Sequence, residues 1–333
     1  MKPLTTLGWL LLIAFSTPAI KAQDSLLPVS RTATISSVTL PANQSTLVAL
    51  PAASIVASGT VGAVSGSDLT LVSSPAVLPT LTGLHAIKIT SRNDQTATST
   101  NAYGLSAPIT ATSGQVVTAA LSTVPNLGDE FVIYAVPTLA SVFGATNSAG
   151  LTGATAPAAA DIVYVGSSGT LVGYFYNTTD SQWKLVSAPS GADQGSASVG
   201  STGGFLVVRK AGASVTLTVS GNPLPGKQVA SVGTGFQVVN NPFLGATTLG
   251  TSGLQAVMTA GTASALADVV YLEVNGALVG YYFKSGGVGG TGWRSLADNV
   301  TPQESVVIAA GKSLLVKKLA GTGSFALQES FAQ

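Results

Sequence analysis

After Arg31, hydrophobic and polar residues alternate along most of the chain with a period of two. Residues 215–220 read VTLTVS, which is typical of an antiparallel strand with one face in water. Short β-prone runs at 60–64 and 69–72 flank the sequence Ser-Gly-Ser-Asp, and this arrangement predicts a β-hairpin. The pattern therefore indicates sheets that are joined by tight turns.

Other segments are apolar on both faces, as expected of strands that are enclosed between two layers. These segments are residues 131–136, 162–165, 171–176 and 205–208. A short helix is predicted only at 138–143. The predicted fold class is all-β, built from antiparallel β-sandwich or β-barrel units.

Three sequence motifs occur twice in the same order, which indicates an internal repeat. They are ADIVY at 160–164 and ADVVY at 267–271, GTLVGYFY at 169–176 and GALVGYYF at 276–283, and Trp-Lys at 183–184 and Trp-Arg at 293–294. The extra residues of the second copy lie in the glycine-rich loop 286–292, where insertions are tolerated. We therefore expect two homologous repeats of about 105 residues, at 128–232 and 233–333.

A smaller β-rich subdomain is predicted ahead of the repeats, at 55–127. The segment 23–54 before it contains TLVALP at 46–51, which resembles the strand-then-proline openings that end at Pro137 and Pro242. The sequence leaves open whether the two repeats form one pseudo-symmetric body or two separate beads.

Residues 1–22 have the order of a secretory signal peptide, with Lys2, an apolar run at 7–15 and then Ser-Thr-Pro. Cleavage is predicted near Ala22. The apolar run is shorter than the ~20 residues that a membrane-spanning helix needs, and no second such run follows. We therefore expect a secreted or envelope protein, in the periplasm or on the outer surface, without a membrane span after signal removal.

Charge and cysteine content exclude several functions. Only 8% of the residues are charged, and 14 basic residues nearly cancel 13 acidic ones, so the chain has no electrostatic attraction to nucleic acid. The absence of cysteine excludes disulfides, thiolate metal sites and cysteine nucleophiles. No motif predicts a cofactor or a metal site, since the asparagine-containing stretch 93–101 offers only a weak set of calcium ligands.

Few residues are candidates for catalysis. His85 is the only histidine and stands near the start of a predicted strand, where we expect no catalytic role. Asp161 and Asp268 could serve glycoside hydrolysis as paired carboxylates, or each could accept backbone hydrogen bonds in the turn before its strand. The basic strand ends 209–210 and 317–318 are expected to face water.

Aromatic residues recur in both repeats, as Tyr174, Tyr176 and Trp183 in the first and Tyr281 and Trp293 in the second. Such rings bind sugars by stacking, so these five residues are the candidate ligand-binding set of a bivalent, lectin-like protein. Packing of Tyr against Trp on the next strand is also an ordinary way to build a core. The sequence alone leaves both interpretations open.

Three segments together resemble one family of uncharacterised secreted proteins, which is expanded as paralogues in verrucomicrobial bacteria. They are GDEF through PTL at 128–139, the aromatic strand before Trp183-Lys184, and GFLVVR at 204–209. The resemblance extends over about 46–333 and its motifs are β-structural. It implies a bacterial origin and an exported destination, and it implies no activity.

The predicted function is that of a non-enzymatic structural or adhesive β protein of the cell envelope or exterior, with the character of a surface adhesin. The alternative is a polysaccharide-binding module that uses the Tyr/Trp strands, and a carboxylate glycosidase is the third hypothesis. The predicted partners are polysaccharides or other envelope proteins. The sequence does not predict the oligomeric state.

Overall fold

The computed structural model describes residues 34–50, 52–74, 77–91, 102–167, 169–199, 204–210, 212–225, 228–240, 246–309 and 312–327. These residues belong to one compact unit. The predicted signal peptide at 1–22 and the weak calcium-ligand stretch at 93–101 lie outside them.

The described residues are almost entirely β-strands and turns. The first nine strands are β1 (Thr34–Leu40), β2 (Ser45–Val48), β3 (Ala52–Ala53), β4 (Ile55–Ser65), β5 (Asp68–Ser74), β6 (His85–Ile89), β7 (Ser106–Ser113), β8 (Val116–Ala119) and β9 (Glu130–Ala135). The helix α1 (Leu139–Phe143) precedes β10 (Ile162–Ser167), β11 (Thr170–Asn177), β12 (Gln182–Leu185), β13 (Phe205–Val208) and β14 (Val215–Pro223). Then follow β15 (Gln228–Val232), β16 (Gly235–Asn240), β17 (Thr247–Thr248), β18 (Val269–Val274), β19 (Ala277–Ser285), β20 (Thr291–Ser295), β21 (Val307–Ile308), β22 (Ser313–Lys318) and β23 (Gly323–Leu327), with two 3₁₀ turns at Leu254–Ala256 and Ser264–Leu266. The all-β prediction is confirmed.

Two local predictions are also confirmed. Strands β4 and β5 form the predicted hairpin, in which Ser65 pairs with Asp68 across a two-residue turn. Gly66 has a φ of 61° in this turn, a conformation that favours glycine. The predicted helix begins after Thr138, whose hydroxyl accepts a hydrogen bond from the Ser141 N–H as an N-cap.

Strands β4 to β9 close into a six-stranded barrel with the order β4-β5-β8-β7-β6-β9. The predicted subdomain at 55–127 lacks β9, which closes the barrel between β4 and β6. Phe131 and Ile133 of β9 fill the barrel interior, whereas Val132 and Tyr134 pack outside it against Ala53. Because β9 is buried on both faces, its sequence alone does not show to which body it belongs.

The two predicted repeats carry five-stranded sheets of the same order. The first sheet runs β12-β11-β10-β13-β2, and the second sheet runs β20-β19-β18-β22-β16. Their registers correspond, since Val163 pairs with Tyr174 in the first sheet and Val270 pairs with Tyr281 in the second. Strand β2 thus holds in the first sheet the position that β16 holds in the second.

This pairing differs from the boundary that we predicted at 128. The opening that ends at Pro137 lies in the barrel through β9, and β2, from the similar opening at 46–51, supplies the edge strand of the first sheet instead. Both segments have the same local pattern, an apolar strand followed by proline. The barrel is inserted between β2 and β10 in the sequence, so the first sheet combines residues that are far apart along the chain.

The two sheets pack against each other through one apolar layer. Its buried members are Leu47 and Leu206 from the first sheet and Val238 and Leu315 from the second. Ser313 Oγ donates a hydrogen bond of 2.8 Å to the carbonyl of Val48 across this layer. The two sheets therefore belong to one body rather than to two separate beads.

Each sheet has its own core on the opposite face. Successive strand residues point to opposite faces, so Leu206 faces the second sheet while Phe205 and Val207 face the core beneath α1. The sheets approach closely at Gly204, where a Cβ would overlap the Val48 carbonyl and the Ser313 hydroxyl. This contact requires glycine.

Candidate functional site

The five aromatic candidates lie in or against the cores of the two sheets. Trp183 and Trp293 are 0% and 1% exposed. Tyr176 pairs directly with Trp183 and meets it edge to face, with ring centroids 5.7 Å apart. Tyr281 is buried in the core of Trp293, and Tyr174 packs half-buried against the core of Trp183. This burial argues against the predicted ligand-binding role, because a sugar needs an open ring face.

The hydroxyl groups of Tyr174 and Tyr281 are affected by the same burial. Removal from water raises the pKa of both groups, because it disfavours the charged phenolate. Both side chains therefore stay neutral at physiological pH, as suits residues of a core.

Asp161 lies just before β10, and its carboxylate is enclosed. Oδ2 accepts a hydrogen bond of 2.7 Å from the Thr152 N–H, and Oδ1 accepts one of 2.8 Å from the Lys210 N–H. The Arg209 Nε lies 2.6 Å from Oδ2. Arg209 also donates to two backbone carbonyls, at 3.0 and 3.1 Å. The ion pair thus ties together several separate segments.

Asp268 has the same arrangement in the second sheet. The N–H groups of Thr259 and Leu319 donate to its two carboxylate oxygens, each at 2.7 Å. The Lys318 Nζ lies 3.0 Å from Oδ2 and also donates to the Val257 carbonyl at 2.6 Å. The prediction that these aspartates accept backbone hydrogen bonds before their strands is confirmed.

The charge state of Asp268 follows from these partners. Burial alone would raise the pKa of this carboxyl, but the amides of Leu319 and Thr259 and the ammonium of Lys318 together hold the pKa below the ordinary value of 3.8. Glycoside hydrolysis needs one accessible carboxyl group with a raised pKa to act as general acid. An enclosed, ionised carboxylate does not fit that role.

The basic strand ends differ from our expectation that they face water. Arg209 and Lys318 are only 3% and 5% exposed, because each side chain turns inward to its aspartate. Lys210 is exposed, and the Lys317 ammonium lies 5.7 Å from the ring centroid of Phe236. The expectation was wrong for one residue of each pair, since adjacent side chains point to opposite sides.

His85 begins β6 and is buried, with its Nδ1 3.3 Å from the Gly83 carbonyl oxygen. In the described part of the chain, no group of three or more His, Asp or Glu residues is arranged to hold a metal ion. His85 thus lies at the start of a strand, as the sequence predicted.

A cleft of about 360 Å³ opens between the barrel and α1. Three segments line it, with the residues Gly83 and Leu84 before β6, Thr138, Ala140 and Ala145 around α1, and Asp193, Gly195 and Ser196 after β12. This volume is near the lower end of the ~300–1,000 Å³ that small-molecule sites occupy. The cleft is the candidate functional site.

Asp193 is the charged residue of the cleft. Its Oδ1 accepts hydrogen bonds from the N–H groups of Trp183, at 3.2 Å, and Gly195, at 3.0 Å. Its side chain is exposed. Within the described residues, Oδ2 accepts no hydrogen bond and no basic side chain forms an ion pair with Asp193. One carboxylate oxygen is therefore held in place while the other stays open to a ligand.

The sequence alone did not predict this cleft. Asp193 lies in the segment SGADQGS at 190–196, which has the composition of an ordinary surface loop. The sequence held one signal for Asp193, since an acidic residue stands 10 residues after Trp183 and 11 residues after Trp293. In the structure, Glu304 accepts a hydrogen bond of 2.9 Å from the Trp293 N–H, as Asp193 accepts one from the Trp183 N–H. Only the packing of the barrel against α1 completes the cleft.

Comparisons with known proteins add no further assignment. Among the described residues, no helix is both long enough and apolar enough to cross a membrane. No protein-family model, no curated protein and no solved structure matches this chain.

Proposed function

We propose that the protein is an exported, non-enzymatic β protein that acts as a structural or adhesive component of the cell envelope or exterior. The observation that carries the proposal is the burial of the two aspartates that recur in the repeated motifs. Asp161 and Asp268, the aspartates of the repeated motifs ADIVY and ADVVY, are both enclosed in ion pairs that tie strands to loops. They stabilise the body and are not presented to a substrate.

The surface supports the same proposal. Val288 and Val300 are 78% and 47% exposed on two loops that meet at Gly289. Two exposed valines on adjacent loops of a chain with few charges are consistent with a surface that contacts other envelope components. The leader at 1–22 and the resemblance to secreted bacterial proteins agree with an exported destination.

The test is to locate the protein in its native organism. Cell fractionation followed by immunogold electron microscopy is expected to place the chain in a surface layer, in filaments or in the outer envelope. Recovery of the whole population as free monomer in the growth medium would contradict the proposal.

The alternative function, polysaccharide binding, needs a site other than the buried tryptophans. The cleft beside Asp193 is the feature of the described residues that favours it.

A further inference from the structure

We infer that the cleft between the barrel and α1 binds a neutral sugar unit, with the Asp193 carboxylate as the acceptor for its hydroxyl groups. This inference goes beyond the structural or adhesive role and does not depend on it. The proposed sugar site is this cleft and not the aromatic strands, where the sequence had placed the candidate ligand-binding residues.

The cleft is preformed, because backbone hydrogen bonds fix each of its walls. The Val136 N–H donates to the Leu84 carbonyl at 2.8 Å and holds the barrel wall. The Ala140 N–H donates to the Gly195 carbonyl, also at 2.8 Å, and joins α1 to the loop that carries Asp193. A ligand thus meets a fixed shape and loses little free energy to ordering of the protein.

The second sheet has a corresponding carboxylate, but a basic side chain lies beside it. Glu304 accepts the Trp293 N–H just as Asp193 accepts that of Trp183. Glu304, however, has Arg294 as a neighbour, with NH1 3.7 Å from Oε1. The first sheet has Lys184 at the corresponding position, and its ammonium pairs with Asp180 at 3.1 Å instead. Asp193 therefore keeps a negative oxygen that a ligand can satisfy.

The chemistry of the walls selects a hydroxyl-rich ligand. A carboxylate oxygen accepts hydrogen bonds, so the ligand must present donors to Asp193. Thr138 and Ser196 add hydroxyl groups, which both donate and accept, as sugar hydroxyls require. Leu84 is 49% exposed, and with Ala140 it offers an apolar surface for the C–H face of a ring. An ammonium ligand would use the carboxylate but would leave the hydroxyls and the apolar wall without a role.

Isothermal titration calorimetry with the signal-free chain tests the inference. The probes are glucose, galactose, mannose and their β-linked disaccharides, with methylammonium as a probe for simple cations. At least one sugar is expected to bind, and the substitution Asp193→Asn is expected to weaken its binding about tenfold, because a charged acceptor is replaced by an amide. Asn can still accept the Trp183 N–H, so the fold is expected to persist.

Two further variants keep the test decisive. Asp68→Asn removes an exposed carboxylate that does not line the cleft and is expected to change binding less than twofold. Ala145→Phe fills the cleft from an exposed position and is expected to abolish binding, and it carries the test if Asp193→Asn does not fold. The inference is overturned if no sugar binds, if methylammonium alone binds, or if binding survives Ala145→Phe. These outcomes leave the localisation experiment untouched, so the two proposals fail separately.

Discussion

The first and second sheets place the same kinds of residues at corresponding positions but surround them differently. Trp183 donates its indole N–H to the Gly144 carbonyl at 3.0 Å, whereas the buried indole N–H of Trp293 has no partner among the described residues. Asp161 is paired with an arginine, and Asp268 with a lysine. Both sheets place a buried tryptophan and a buried aspartate at corresponding positions. The hydrogen bonds of the tryptophans and the ion-pair partners of the aspartates differ between the sheets.

Each sheet is held by a buried ion pair between an aspartate and a basic side chain, Asp161–Arg209 in the first and Asp268–Lys318 in the second. Removal of one partner from a buried pair leaves a charge without compensation, which typically costs 3–5 kcal/mol. Asp161→Asn and Asp268→Asn are each expected to lower the free energy of unfolding by about 3–5 kcal/mol in urea or guanidinium titrations. The matched control is Asp68→Asn, because Asp68 is exposed and its hydrogen bond from the Thr118 hydroxyl is worth about 1 kcal/mol.

An effect of the two buried substitutions no larger than that of the control would show that the pairs do not hold the sheets together. A large effect in one sheet only would show that arginine and lysine are not equivalent in this position.

Lys284 marks a difference between the sheets, because Asn177 holds the corresponding place in the first. The Lys284 side chain is buried and donates to the carbonyls of Val288 and Asn299, which lie on two loops at the outer edge of the second sheet. Lys284→Met is expected to cost about 1–3 kcal/mol and to speed proteolysis in the glycine-rich loop 286–292. The exposed Lys210 supplies the control, Lys210→Met.

Proteolysis followed by mass spectrometry locates the cleavage. If loop 286–292 is cut at the same rate in Lys284→Met and in Lys210→Met, the buried lysine is not what anchors it.

The two tryptophans provide a comparison of stability with a smaller expected effect. Trp183→Phe and Trp293→Phe remove the same volume, but only the first removes an indole hydrogen bond. Trp183→Phe is therefore expected to be the more destabilising by about 1 kcal/mol, the net value of a typical hydrogen bond. Equal losses in matched chemical denaturation curves would contradict this explanation.

The smallest expected effect is the pH dependence that Asp268 confers. Its pKa is lower in the folded state than the ordinary value of 3.8, so the unfolded chain binds the proton more readily in acid. The stability that Asp268 contributes is thus fully present above its ordinary pKa and is lost as the pH falls through the lower pKa of the folded state. Between about pH 5 and about pH 2, stability is expected to fall less steeply in Asp268→Asn than in the unsubstituted chain.

Parallel slopes for the two proteins over this range would mean that other carboxyl groups account for the acid sensitivity. Guanidinium titrations at several pH values give the required slopes.

Local patterns predicted much of this fold, because they depend on neighbours in sequence. The alternation at 215–220 predicted a strand, and the Ser-Gly-Ser-Asp turn predicted the hairpin of β4 and β5. The role of Asp161 as an acceptor of backbone hydrogen bonds was also accessible, since aspartate before a strand commonly plays it. These features need only short-range geometry.

Two other features could not be predicted from local sequence. They are the burial of the Arg209 side chain and the membership of β9 in the barrel. A charged residue at a strand end resembles a solvated one until the fold brings a carboxylate to it. Strand β9 and the segment at 46–51 share an apolar run followed by proline, and only long-range pairing distinguishes them.

The sequence by itself determined the all-β character, the hairpin and helix positions and the recurrence of the Asp, Tyr and Trp motifs. Those follow from side-chain periodicity and turn chemistry, which are local. The tertiary structure alone decided that the tryptophans are core residues, that Arg209 and Lys318 are buried, and that Asp193 lines a cleft. Burial depends on which distant surfaces meet, and here the barrel inserted after β3 brings the wall before β6 against α1.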